Sequence, residues 1–195
     1  MKAIKLKQVV LIILITVICN INAGAEEYQV LLGERAFGIS IKSETEDYIK
    51  VLGNPDGTIN MGKDRVGLIY GQKLLLIFWE NKLWEIVAWN NPPIHAMGYI
   101  YNGMYPNKYL VVINGKIKPG MLRKNVSNAI KTILSKNEYQ DITADEFGMD
   151  FIRRDTTVSL GFKYQGLERG SVDDRQILEA VKITFENNNP IMRNK

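Results

Sequence analysis

His95 is the single histidine and Cys19 the single cysteine in 195 residues. A Ser-His-Asp or Cys-His mechanism would have to move its proton through that one imidazole. His95 stands in the turn-like run Pro92-Pro93-Ile94-His95, and no Gly-x-Ser-x-Gly elbow presents a serine nucleophile. A zinc site needs several His, Cys or carboxylate ligands at short spacing, which one histidine does not supply. Asp141, Asp145, Glu146 and Asp150 cluster, but not at the spacing of an EF-hand loop, so the expectation is a solvated acidic loop. Neither form of glycine-rich phosphate cradle occurs. Paired carboxylates for glycoside hydrolysis meet only in a fold, and nothing in the chain points to such a pair. The residues imply a protein that is not an enzyme and uses no cofactor and no metal.

The first 25 residues read as an export signal. Lys2, Lys5 and Lys7 precede the apolar run Val9–Ile18, and Ala23-Gly24-Ala25 offers the small-x-small pattern of a cleavage site. The run is shorter than the ~18–20 residues of a permanent membrane span. Cleavage after Ala25 is expected, giving a periplasmic or secreted protein. Cys19 is the one position for a lipid anchor, but Ile18 before it is not the small residue that a lipoprotein signal carries. The leader holds three of the 25 basic residues and none of the 21 acidic ones, so the remainder carries +1 rather than +4. That balance excludes a nucleic-acid footprint. Arg123-Lys124 and Arg153-Arg154 read as solvated basic pairs. With Cys19 removed no disulfide is available, and burial alone must hold the fold.

Two helix signals sit in equivalent places. Ser43 and Glu46 read as a reciprocal cap, Tyr48, Ile49 and Leu52 share a face, and Gly53 and Pro55 end the helix. The second helix spans about Leu122–Leu134, with Leu122, Val126, Ala129, Ile130 and Ile133 on one side. Strand patterns follow each: Arg65–Tyr70, Lys73–Trp79 and Leu83–Trp89, then Met149–Arg154, Thr157–Tyr164 and Ile177–Phe185. The expected fold is α+β: two similar repeats, each a short helix (or helix pair) packed on an antiparallel β-meander. Its boundaries are 26–91 for the first repeat, 92–110 for a Pro-, Gly- and Tyr-rich connection, 111–186 for the second repeat and 187–195 for a polar tail.

The hairpin 73–89 carries the most information about binding. With Asn81-Lys82 as its turn, Trp79 faces Trp84, Ile77 faces Ile86 and Leu75 faces Ala88, an apolar face for the helix. The opposite face holds Leu74, Leu76, Phe78, Val87 and Trp89, broken only by Glu80 and Glu85. A strand with one wet face alternates apolar and polar residues, as Thr157–Tyr164 does. The second apolar face therefore packs on the other repeat or receives a partner. Leu76, Phe78, Glu85 and Trp89, with Tyr99, Tyr101 and Tyr105 of the connection, are the candidate partner-binding residues, since tyrosine is frequent at protein interfaces.

Gly38-Ile39-Ser40-Ile41, with Glu46, Tyr48 and Leu52-Gly53-Asn54-Pro55-Asp56, resembles the signature of the SmpA/OmlA (BamE-like) envelope domain. Ile117-Lys118-Pro119-Gly120-Met121 with Val126 resembles its Gly-Met opening. Two such units in tandem are similar to the architecture of the secreted beta-lactamase inhibitory protein. The resemblance implies an envelope-associated protein binder without catalytic residues. The expected function is thus an exported, non-catalytic protein-binding module of inhibitor or immunity type whose partner is another protein. It touches membrane only through the signal peptide or a lipid anchor at Cys19. The alternatives are an envelope scaffold or assembly component, lipid-anchored through Cys19, and a hydrolase using paired carboxylates.

Overall fold

The computed structural model describes residues 26–91, 109–135, 142–166 and 172–189. Residues 1–25 with Cys19, His95, Asp141, and Tyr99, Tyr101 and Tyr105 lie outside them. Among the described residues no helix is long and apolar enough to cross a membrane.

The strands are β1 (Glu26–Leu31), β2 (Arg35–Ala36), β3 (Ile39–Ser40), β4 (Gly57–Gly62), β5 (Arg65–Tyr70), β6 (Leu74–Trp79), β7 (Lys82–Trp89), β8 (Tyr109–Ile113), β9 (Thr143–Ala144), β10 (Gly148–Arg153), β11 (Thr156–Tyr164) and β12 (Gln176–Phe185). The helices are α1 (Thr45–Leu52), α2 (Arg123–Ile133) and the single turn α3 (Val172–Arg175), and a 3-10 turn covers Glu186–Asn188. The six strands expected from the strand-like runs agree with β5, β6, β7, β10, β11 and β12 to within a residue at each end.

The expected architecture is corrected by the sheet topology. The protein is mostly β, not two helix-on-meander repeats. Strands from both halves of the chain merge into one eight-stranded sheet, β4-β5-β6-β7-β12-β11-β10-β9, and a second sheet of four strands, β3-β2-β1-β8, accompanies it. The halves meet where β7 pairs antiparallel with β12, from Ala180 opposite Trp89 to Thr184 opposite Glu85. In the small sheet β1 pairs in parallel with β8, Glu26 opposite Tyr109 through Val30 opposite Ile113. Such a pairing joins residues over eighty positions apart, and no local sequence period reports it.

One hydrophobic core lies between the sheets and helices. From the large sheet it takes Leu76, Ile86, Ile183, Val158 and Phe151, neighbours across the ladder, and from the other elements Val30, Tyr48, Ile113, Val126 and Ile130. A chain of rings crosses it. Tyr28 of β1 meets Phe37, Phe37 meets Tyr48 of α1, and Tyr48 meets Phe78 of β6, at centroid separations of 6.0, 6.3 and 5.4 Å.

Helix α1 begins one or two residues later than expected. Glu44, not Ser43, is its N-cap, and the Asp47 carboxylate accepts the Glu44 N–H at 3.3 Å. That contact, followed by the nearby Lys50, holds the Asp47 carboxyl below its usual range. Gly53 closes the helix at φ +83°. Arg123 also departs from expectation: it is buried, not solvated. Its guanidinium stands 4.8 Å from the Phe162 ring centroid and donates to the Gln176 side chain and to the carbonyls of Asp145 and Glu146. A planar fork with several fixed donors suits that triple contact.

Two core tyrosines couple stability to alkaline pH. The Tyr48 hydroxyl donates to the Ser40 carbonyl at 3.1 Å and the Tyr70 hydroxyl to the Gly53 carbonyl at 3.2 Å. Burial raises both phenols, that of Tyr70 to about 12, with the neighbouring Tyr109 and Asp56 adding to it. In the unfolded chain a tyrosine ionises near its ordinary value of about 10. The stability from these groups is therefore whole below about pH 10 and is lost as pH rises from there toward about 12. Urea midpoints measured from about pH 8 to about pH 11.5 should fall above pH 10, and less steeply in Tyr70→Phe.

Candidate functional site

The hairpin β6–β7 decides which side chains face outward, and it turns at Glu80-Asn81, not at Asn81-Lys82. Both residues have positive φ, 48° and 65°, and Trp79 pairs with Lys82. That is the two-residue turn matching the twist of antiparallel strands, and asparagine tolerates it well. Next the register shifts: Phe78 pairs with Leu83 but Ile77 with Glu85, so Trp84 is the extra residue of a bulge. A one-residue change of register exchanges the faces of a strand. Leu74, Leu76, Phe78, Leu83, Ile86 and Ala88 consequently point inward and are buried.

Leu76 and Phe78 thus belong to the core and present nothing to a partner. Glu85 and Trp89 do lie on the outer face. Glu85 is engaged within the sheet, its carboxylate accepting from the Thr184 hydroxyl at 3.2 Å with the Lys182 amine at 4.0 Å. Trp89 is half-buried, opposite Ala180. Tyr99, Tyr101 and Tyr105 fall outside the described residues. Tyr109, beside them in sequence, packs against Tyr28 and Tyr70 and donates to the Leu52 carbonyl.

The outer face over β5–β7 is apolar, built from Leu75, Ile77, Trp79, Trp84, Val87 and Trp89. Its floor is Gly67. A Cβ there would lie 3.1 Å from a Leu75 methyl, 3.6 Å from the Ile59 Cβ and 3.6 Å from the Met61 sulfur, so the missing side chain lets those three close over the strand. At the hairpin end Trp79 and Trp84 stack edge to face at 5.2 Å. The Arg65 guanidinium stands 5.5 and 5.9 Å from their ring centroids, within range of a cation–π contact. Arg65 makes only long contacts to carbonyls, 3.4 Å to Gly62 and 3.5 Å to Met61, and meets no carboxylate among the described residues. The Trp84 indole N–H is buried without an acceptor.

Across β12, β11 and β10 the same face is mainly polar: Lys182 and Thr184, then Thr157 and Ser159, then Asp150, with Ala180 and Ile152 as apolar exceptions. One sheet thus shows an apolar, aromatic half and a polar half on a single side. The core elements named above pack on the other side.

The acidic cluster performs structural work. Asp145 accepts the backbone N–H groups of Phe147 and Gly148 at 2.8 and 2.6 Å, and the Glu146 carboxylate accepts from the Tyr164 hydroxyl at 2.8 Å. Sequence reasoning paired Trp79 with Trp84 but turned them inward, and it passed over Arg65. Asn81 prefers the positive φ of the second turn position and so signals where the hairpin closes, but the exchange of faces comes from the bulge at Trp84, which no local pattern reports.

No family model matches the chain, and no curated protein matches it. Among solved structures it is similar to an extracellular protein containing an SCP domain from Bacillus anthracis str. Ames. Identity is 9% over 78% of this chain, the TM-score is 0.36, and the chain spans under half, 46%, of that protein's length. A likeness at this level decides neither fold nor function, and the envelope-domain resemblance stands on the residues quoted for it alone.

The burial pattern separates core from surface aromatics. Phe78→Ala should cost about 3–5 kcal/mol in urea denaturation, the range for emptying a core aromatic site. Trp79→Ser should cost about 1 kcal/mol, roughly the worth of a surface aromatic pair.

Proposed function

We propose that the protein acts after export as a non-catalytic protein-binding module, and that its partner brings apolar side chains and a carboxylate to the outer face of β5–β7. The observation that carries this reading is Arg65 against Trp79 and Trp84. Tryptophan and arginine dominate binding hot spots, because each offers large, stiff contact area and a directed polar group. The guanidinium is held on two indole rings and lacks a carboxylate among the described residues. A partner carboxylate supplies a paired, charge-assisted contact in a water-poor setting. The flanking Leu75, Val87 and Trp89 supply apolar area.

Export is supported by the basic start, apolar run and small-residue cleavage pattern of residues 1–25. Cleavage after Ala25 leaves β1, which starts at Glu26, whole. Residues of the envelope-domain resemblance hold structural posts: Tyr48, Ile117 and Val126 are buried, and Gly53 and Gly120 take positive φ. They fit a binding scaffold and name no chemistry.

The test compares partners retained by the exported protein and its variants from the native envelope and culture fluid. Arg65→Ala and Val87→Lys should each lower retention of one stoichiometric partner at least tenfold, while Ser159→Lys on the polar half leaves it unchanged. Retention through Arg65 should also weaken as salt rises. Equal retention by all four proteins would remove the outer face as the site.

A further inference from the structure

Free sheet edges attract other strands, and proteins blunt them with short strands, charge, proline, bulges or cover, so a bulge at one end of a strand leaves only its regular stretch open. Among the described residues this protein has four such edges. β3 and β9 have two residues each. β8 runs into three consecutive buried residues, Val111 to Ile113, and Ile113 bonds back to Ile117. β4 differs. It has six residues, Gly-Thr-Ile-Asn-Met-Gly, with neither charge nor proline, and pairs regularly with β5 from Gly57 to Asn60 before its bulge. Four of the six are exposed, among them Met61 at 39%.

We infer that β4 is a self-association edge, and that two copies of the chain pair antiparallel through it to continue the eight-stranded sheet across a two-fold axis. The strand is complementary to itself in one register. An axis through Ile59 sets Ile59 against Ile59 and each Gly57 opposite a Met61 on the outer face. On the inner face it sets each Thr58 opposite an Asn60. The glycine leaves room for the methionine, and threonine opposite asparagine is a hydrogen-bonding pair. Each Asp56 then lies opposite a Gly62, beside Lys63. Moving the axis to Asn60 would set Asp56 opposite Asp64, like charges that destabilise a cross-strand pair. The apolar outer rows around Gly67 of the two copies become continuous, so the dimer doubles the length of that surface. This inference does not depend on the proposed binding function.

A six-residue strand pair buries less than the ~1,600 Å² of a standard interface, so the dimer depends on concentration. Sedimentation velocity on the exported protein from about 1 μM to about 1 mM should show the mass rising from monomer toward dimer. Ile59→Lys and Ile59→Glu, each placing like charges on the axis, should stay monomeric, and their equimolar mixture should recover the dimer. Trp79→Ser should dimerise as the wild type does. Amide hydrogen exchange gives a readout free of mutation: residues 57–61 should gain protection as concentration rises. A wild type monomeric throughout, a dimer surviving Ile59→Lys or lost in Trp79→Ser, or no gain in protection at 57–61 would overturn the inference.

Discussion

The left-handed pair Glu80-Asn81 constrains more of this molecule than any other contact. Turn and bulge together decide that Phe78 and Leu83 enter the core side by side while Trp79 and Trp84 stay outside. Because side chains alternate along a strand, that choice carries down the whole hairpin. Leu76 and Ile86 follow inward, and Leu75 and Val87 follow outward. Phe78 then meets Tyr48 of α1, through which Phe37, in the turn between β2 and β3, and Tyr28 of β1 join the same core. A hairpin without the bulge, with Ile86 still facing inward, would turn the two tryptophans into a space shaped for phenylalanine and leucine.

The junction of β7 with β12 transmits this orientation to the second half. The row Leu76, Ile86, Ile183, Val158, Phe151 runs unbroken through five strands, and every member is buried. Asn188, just past β12, closes the connection by donating its amide to the carbonyls of Ile41 and Leu83 at 2.8 and 2.7 Å. These are buried contacts across more than a hundred residues, and losing a buried hydrogen-bond partner costs about 1–3 kcal/mol. The halves are thus parts of one sheet with one core, which explains why neither is a separate helix-capped unit.

What could be read from the residues followed the range of each interaction. Strand-forming runs bounded by turn residues located six strands, and the Gly53-Pro55 stop and the Val126-Ile130-Ile133 stripe located the two main helices, since those signals act over a few residues. β1 and β8 escaped because their parallel pairing is nonlocal, and β2, β3 and β9 because two residues carry no period. Merging of the meanders was also hidden, because β7 and β12 look alike whether they edge two sheets or join in one. The candidate face was half legible: a two-sided apolar hairpin was apparent from composition, yet the bulge at Trp84 exchanged its sides. Leu76 and Phe78 fell on the wrong one for that reason, whereas Glu85 and Trp89, both past the bulge, did not. Arg123 was misread because charge alone does not report a buried fork of carbonyls and an amide.

The apolar half of the outer face is not a requirement of the fold. β10, β11 and β12 occupy the same sheet, bury the same inner row and carry Asp150, Ser159, Thr157 and Lys182 outward. If a dry outer face were needed to hold an antiparallel sheet of this curvature and width, those strands would show it as well. Stability also opposes the arrangement on β5–β7, since an indole N–H buried without an acceptor and a guanidinium without a carboxylate among the described residues both carry desolvation costs. Polar substitutions at Leu75, Val87 and Trp79 would bring this half into line with its neighbour at little expense to the core. Features that a fold does not need and that slightly weaken it concentrate at functional sites, and on β5–β7 the apolar surplus, the Trp84 indole and the Arg65 guanidinium fall on one side of the sheet.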